Sequence, residues 1–530
     1  MKGKKSIWTI CLICFFMTLS VLWDEAVELK ASAKALIPIC FSKQIEIDDN
    51  HEDYKGMLNL TQEMINNASP NFIIQKNYDL HNKVLIVPEG CTLDFQGGSV
   101  NNGTLILKSN TVIKGNNAEC VASYDGLSHK SLIVANNAEN IKIYNLTIKG
   151  NYNEDRDGAV NPWGQMRNDA QNLLFIGNTN NVQVEGLRVD AFANDNQGIG
   201  ASWNIKDSTN TGFAAVKIAN STNVLVKKCQ EVHSAGEGWE FNFCEDVTID
   251  SLSIERKYGV SSLNVEGCHN FTMQNSTFDT EFSTGDVANI LAKNAIVHNC
   301  VFKGGGVDFG NEFANRGYER IIRESSYNVT FSNCYFGGDL RNGSYIVDKS
   351  PSKIVDGLKI INCIFHIDAS VRNNIIALYL GNNGNIGTVL FENNTIEVTG
   401  KVNRRFDYYY QIIESYSRTY TVDTLIIRGN KIYDDVFIKK RHYDNIVRRH
   451  LNGVIIATNA NSLVVENNNI KSCSDIICES TVLFPGGNRE RVTLRNNQLA
   501  FVRSHELSGI KNKIIIYENQ GNTIKALKYE

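Results

Sequence analysis

The sequence predicts an all-β solenoid. Three observations carry that expectation: a recurring strand–turn–strand phrase, a 24-residue step where the phrase is tightest, and a column of like residues behind each turn. The phrase is NAIVHNCVF, Asn294 to Phe302. It returns as NVTFSNCYF (Asn328 to Phe336), GLKIINCIF (Gly357 to Phe365), SLVVENNNI (Ser462 to Ile470) and RVTLRNNQL (Arg491 to Leu499). Each copy alternates apolar and polar residues, turns at one small or polar residue, and resumes with a short apolar strand. We call the turn residue the anchor.

Composition fits this course. The chain has 530 residues, more than one ordinary globular core accommodates. Its 40 glycines, 6 prolines and many asparagines suit short strands joined by turns. A net charge of −4 without a large single-sign block gives no nucleic-acid signature.

The N-terminus is basic at Lys2, Lys4 and Lys5, then apolar from Ile7 to Trp23, with Ala31-Ser32-Ala33 behind it. Residues 1–33 read as a secretory signal peptide, with an uncleaved membrane anchor as the alternative. Neither Cys11 nor Cys14 sits in a lipoprotein box, and no other segment is apolar enough to span a bilayer. The expected location is secreted, periplasmic or cell-surface.

Residues 34–70 form a lead-in, with a short helix over Met57 to Asn67 as the lid of the first coil. Residues 71–525 carry the array. Its expected anchors are Gly97, Gly115, Asn145, Gly186, Lys228, Ser251, Asn275, Asn299, Asn333, Asn362, Asn393, Gly429, Asn467, Asn496 and Glu518. Two apolar positions precede each anchor and another follows three residues later. From Asn145 on, the residue just behind the anchor is Leu146, Leu187, Cys229, Leu252, Ser276, Cys300, Cys334 and Cys363, which suits an apolar internal stack. It is then Asn394, Asn430, Asn468, Asn497 and Asn519, the pattern of an internal amide ladder. Of the 13 cysteines, Cys244 and Cys268 come close enough on adjacent coils for a bridge, but buried free thiols are the expected state. No cysteine–histidine spacing suggests zinc.

These coils, apolar stacks and asparagine ladder resemble the right-handed parallel β-helix of the pectin-lyase-like superfamily. The segment TLDFQGGSVNNGTLIL followed by NTVIKG is similar to the opening coils of secreted bacterial members. The resemblance implies a single-stranded right-handed parallel β-helix of about 13–15 coils with a short N-terminal capping helix. It implies polysaccharide as the partner and does not fix an activity.

Function is sought where the coil is interrupted. Anchor steps of 41 and 42 residues, from Asn145 to Gly186 and on to Lys228, place long loops beside three minimal coils, Lys228 to Asn299. Those loops carry Trp163 and Trp203, which suit stacking on sugar rings, and so wall a low floor. A more distant wall carries Arg404, Arg405 and the run Lys439 to His442. On the floor, Lys217, Glu240 and Asn264 register together, with Asn242 and Glu266 two residues further on, all on the solvent face. A second set aligns His233 with Arg256 and Thr280, and Lys257 with Glu281, with Tyr258 beside Asp279.

In a lyase, a basic side chain or a calcium ion neutralises a uronate carboxylate while a base removes the C5 proton. Lys217, His233, Arg256, Lys257 and Tyr258 are candidates. In a hydrolase two carboxylates flank the glycosidic bond, and Glu237, Glu240, Glu266, Asp279 and Glu281 are candidates. A bulge from Asp308 to Ser325 adds Arg316 and Arg320 for an acidic sugar. Asn264, Tyr258, Trp163 and Trp203 complete the binding set. Polygalacturonase and pectate-lyase motifs are absent, so no family residue role carries over. The reading is an exported polysaccharide-acting protein, lyase ahead of hydrolase because the floor mixes cations and Tyr with carboxylates. The alternatives are a glycan-binding module and an adhesive or structural surface β-helix.

Overall fold

Left-handed corners set the winding. The computed structural model describes residues 57–528, except 123–130, 151–171, 191–213, 233–236, 284–286, 310–325, 343–354, 381–384, 402–408, 416–420, 437–452, 458–459, 472–479, 485–490, 505–516, 521–522 and the single residues 260, 373, 435 and 496. Twelve expected anchors have positive φ: Gly97, Asn145, Gly186, Lys228, Ser251, Asn275, Asn299, Asn333, Asn362, Asn393, Gly429 and Asn467. Asparagine and glycine tolerate this region best, which is why they dominate the corners.

Between corners every registered pairing is parallel. The strands ahead of the anchors form one continuous ladder of sixteen among the described residues, from Asn71–Ile74 to Tyr517–Gln520. The strands behind them form a second ladder, and a third, leading ladder precedes both. The chain is a parallel β-helix, as expected, with one coil more than the upper end of the expected range.

The interior repeats by column. Phe278, Phe302, Phe336 and Phe365 stack at centroid separations of 5.3, 5.4 and 4.8 Å. The amide ladder runs through buried Asn394, Asn430, Asn468 and Asn497, each Nδ2 donating to the next Oδ1 at 3.1, 2.9 and 3.0 Å. Each Nδ2 also donates to a backbone carbonyl, Ile360, Phe391, Ile427 and Val465 in turn.

The last expected anchor is wrong. Glu518 lies inside a strand opposite Thr493, and Asn519 faces Leu494. Gln520 still pairs within that strand, opposite Arg495. Gly115 is also displaced: Asn116 and Asn117 hold the left-handed conformation there.

The capping helix starts later than expected, spanning Gln62–Ala68. Leu58–Asn59 pairs as a strand with Tyr78–Asp79, and the Thr61 side chain accepts from Met64 N, which fixes the start. Gln62 clamps Ile86 at N and O, both at 2.7 Å, covering the open edge of a first-coil strand.

The described cysteines are buried free thiols, Cys244 and Cys268 included. Burial pushes Cys120 and Cys229 up to about 12, so they pack as neutral groups. The proposed leader lies outside the described residues.

Candidate functional site

The leading ladder has two faces. Its inward column is apolar: Val216, Trp239, Leu263, Ala288, Val307, Leu340, Leu378 and Ile413. The register position one residue on is occupied by Lys217, Glu240, Asn264, Asn289, Asp308, Arg341, Tyr379 and Glu414. Eight consecutive coils thus present a polar residue at one register position. Phe175 precedes the run and Ile456 follows it. At about 4.8 Å per coil the strip is roughly 34 Å long. Beside it, Asn242 and Glu266 stand opposite each other on adjacent coils.

The register of Lys217, Glu240, Asn264, Asn242 and Glu266 is as expected, but their exposure is not. Glu240 is 3% exposed and Asn264 2%, and Asn242, Glu266, Asn289 and Asp308 are also buried. Alternation sorts side chains between two faces; it does not say that the outward face is open.

Burial makes polar pairing matter here. Lys217 Nζ lies 2.9 Å from each carboxylate oxygen of Glu240. Asn242 Nδ2 donates to Glu240 Oε1 at 2.6 Å, and Asn264 Nδ2 to Glu266 Oε1 at 2.6 Å. Asn289 Nδ2 donates to Ser261 Oγ at 3.3 Å. The amide oxygens of Asn242, Asn264 and Asn289 have no hydrogen-bond partner among the described residues. At the far end, burial pushes the Glu414 carboxyl up to about 7.

The second expected patch is not assembled as predicted. Arg256 faces Thr280 as expected. Tyr258 faces Phe282, however, while Asp279 faces Glu255 and pairs with Lys303 Nζ at 2.9 Å. Tyr258 and Asp279 are therefore not ladder neighbours. Arg256, Lys257 and Tyr258 occupy the strand Ser253–Gly259, behind the anchor rather than on the strip. His233, Trp163, Trp203, Arg316, Arg320 and the wall residues Arg404, Arg405 and Lys439 to His442 lie outside the described residues.

Sequence reasoning missed four strip residues, Asn289, Arg341, Tyr379 and Glu414, and set a fifth, Asp308, at the start of a bulge, whereas it lies within the strand Val307–Phe309. It also missed Glu231, which is fully buried on the inward face between Val189 and Ile254. That one was readable, since it breaks an apolar column three residues behind the anchors. No group of three or more His, Cys, Asp or Glu is placed to hold a metal among the described residues.

No protein family and no curated protein matches the chain. Solved structures follow a similar course. A Yersinia enterocolitica family 28 exopolygalacturonase is 14% identical, covering 83% of this chain and 73% of its own, with a TM-score of 0.30. The Streptococcus pneumoniae surface protein and adhesin PfbA is 14% identical over 88% of this chain and 94% of its own, at 0.31. The PL6 family alginate lyase AlyGC is 10% identical over 88% and 96%, at 0.18. Values this low transfer no residue role, and the fold rests on the chain's own pairings.

Proposed function

We propose that the chain is a carbohydrate-active β-helix protein that engages polysaccharide along the outward polar strip. The observation that carries this reading is the strip's continuity: eight polar positions in register, where the coil needs only a solvated face. A strip running along the solenoid axis suits an extended polymer better than a compact ligand. The basic and apolar N-terminus supports export, which is where such polymers are met. Because much of the strip is buried, binding requires it to open.

For chemistry we favour β-elimination. Arg341, Tyr379 and Glu414 occupy consecutive positions on the strip. A guanidinium neutralises a uronate carboxylate, a phenol serves proton transfer at C5, and a carboxyl titrating near neutrality exchanges the leaving-group proton. Hydrolysis is the second reading. Glu240 and Glu266 stand two residues and one coil apart, roughly 8 Å between Cα atoms, which puts two carboxyl-bearing side chains beside one another on the strip. Lys217 Nζ and Asn242 Nδ2 both donate to Glu240 Oε1, which fixes where that carboxyl sits.

The test is incubation of the mature chain with uronate-containing and neutral polysaccharides. Unsaturated ends support the lyase, and new reducing ends without unsaturation support the hydrolase. Retarded migration in glycan gels without products leaves a binding or adhesive module. No retardation and no product would sink the polysaccharide reading.

A further inference from the structure

We infer that Asn242, Asn264 and Asn289 form a subsite for the hydroxyl groups of uncharged sugars, and not for uronate carboxylates. This deepens the polysaccharide reading and rests on it.

Two of the three amide orientations are fixed by their partners. Asn242 and Asn264 each turn Nδ2 onto a carboxylate oxygen at 2.6 Å, Glu240 and Glu266 respectively. Reversing either amide would set oxygen against oxygen. Asn289 Nδ2 lies 3.3 Å from Ser261 Oγ, a hydroxyl able to pair with either end of the amide, so its orientation is assigned and not forced. The other prong of each amide is therefore an acceptor that the protein leaves unused among the described residues. All three side chains are more than nine-tenths buried. An unfilled buried acceptor is destabilising, so a group that donates to it gains more than the same group would at an exposed site.

The chemistry of the ligand follows. What is unfilled here is oxygen, so the ligand must bring donors. A hydroxyl does so. A uronate carboxylate brings only acceptors, and it would meet Glu240, Glu266 and Asp308 on the same six coil positions. A single cation fits less well than a chain of hydroxyls. Asn264 and Asn289 are set one coil apart, about 4.8 Å at the backbone, with Asn242 offset along the strand, while a calcium shell draws its oxygens to 2.3–2.6 Å from one point. Acceptors repeated at the coil spacing match donors repeated along a polymer. Any uronate then belongs nearer Arg341 and Tyr379, and the preferred substrate is a heteropolymer that alternates or borders charged and neutral sugars.

The experiment uses the full mature chain in affinity gels with glucomannan and galactan as uncharged probes and polygalacturonate and alginate as uronate probes. Asn242→Leu, Asn264→Leu and Asn289→Leu are tested separately, each with a thermal melt, so that one misfolded variant does not decide the matter. The expected result is retardation by an uncharged probe that weakens about tenfold in each folded variant. Retardation by uronate probes alone, or uncharged binding unmoved in folded variants, overturns the subsite while leaving the polysaccharide reading intact. No retardation by any probe overturns both.

Discussion

Replacing Lys217 with Met tests whether the strip is a coupled buried unit. The amine contacts both oxygens of Glu240 at 2.9 Å, and Glu240 is 3% exposed. Without it, the carboxylate keeps Asn242 Nδ2 as a neutral donor at 2.6 Å. Removing one partner of a buried ion pair leaves an uncompensated charge, which costs about 3–5 kcal/mol. Removing both does not: Lys217→Met with Glu240→Gln should recover most of the loss, a coupling of about 2–3 kcal/mol. Solenoids open coil by coil, so the readout should be local. Native-state hydrogen exchange over Ala214–Ala219 and Glu237–Asn242 measures the free energy of opening there. A single variant that costs under about 1 kcal/mol, or a double variant no better than the single, would refute the buried-pair reasoning.

Three further outcomes are expected. Asn430→Leu strips both acceptor bonds from Asn394, leaving its buried backbone N–H unpaired, and removes a donor from Phe391 O; unfolding in urea should show a loss of about 3 kcal/mol. Glu414, raised from 4.5 to about 7 by burial, is held neutral when folded, so its contribution is complete below the unfolded value and is lost as pH rises through about 7. That amounts to about 3 kcal/mol, and Tm at pH 5 and pH 8 should diverge between wild type and Glu414→Gln; parallel curves would contradict it. Lys228 holds φ at 51°, so Lys228→Asn should stabilise by about 0.5–1 kcal/mol in thermal unfolding.

The corners and stacks were legible because each rests on a local requirement. A left-handed corner asks for Asn or Gly, and an inward column asks for apolar residues, so both recur in the sequence. The strip was legible only to Asn264, and the reason is a register slip. Lys217, Glu240 and Asn264 each stand eleven residues before an anchor; the same count back from Asn299 lands on Ala288, which faces the core. The pairing shifts between Glu266 and Cys268, where Gly267 adopts a φ of 63°, and the outward position moves to Asn289. Beyond it the steps to Asp308, Arg341, Tyr379 and Glu414 are 19, 33, 38 and 35 residues, so no fixed ruler reaches them. Burial of the outward face is not encoded in strand periodicity.

The chain holds two asparagine rows, and their difference is the strongest physical argument about function. In Asn394, Asn430 and Asn468 every amide group is spent: Nδ2 on a carbonyl and on the next Oδ1, and the Oδ1 of Asn430 and Asn468 on the preceding residue's N and Nδ2. Stacking alone closes that row, because each coil supplies what the next one needs. Asn264 and Asn289 are also stacked on successive coils, yet their amides do not pair with each other; they turn toward Glu266 and Ser261 and leave oxygen unfilled. A row serving only the scaffold would gain by closing as the interior one does. Holding the acceptors open, at the cost of buried unpaired oxygens, is favourable only if something else fills them.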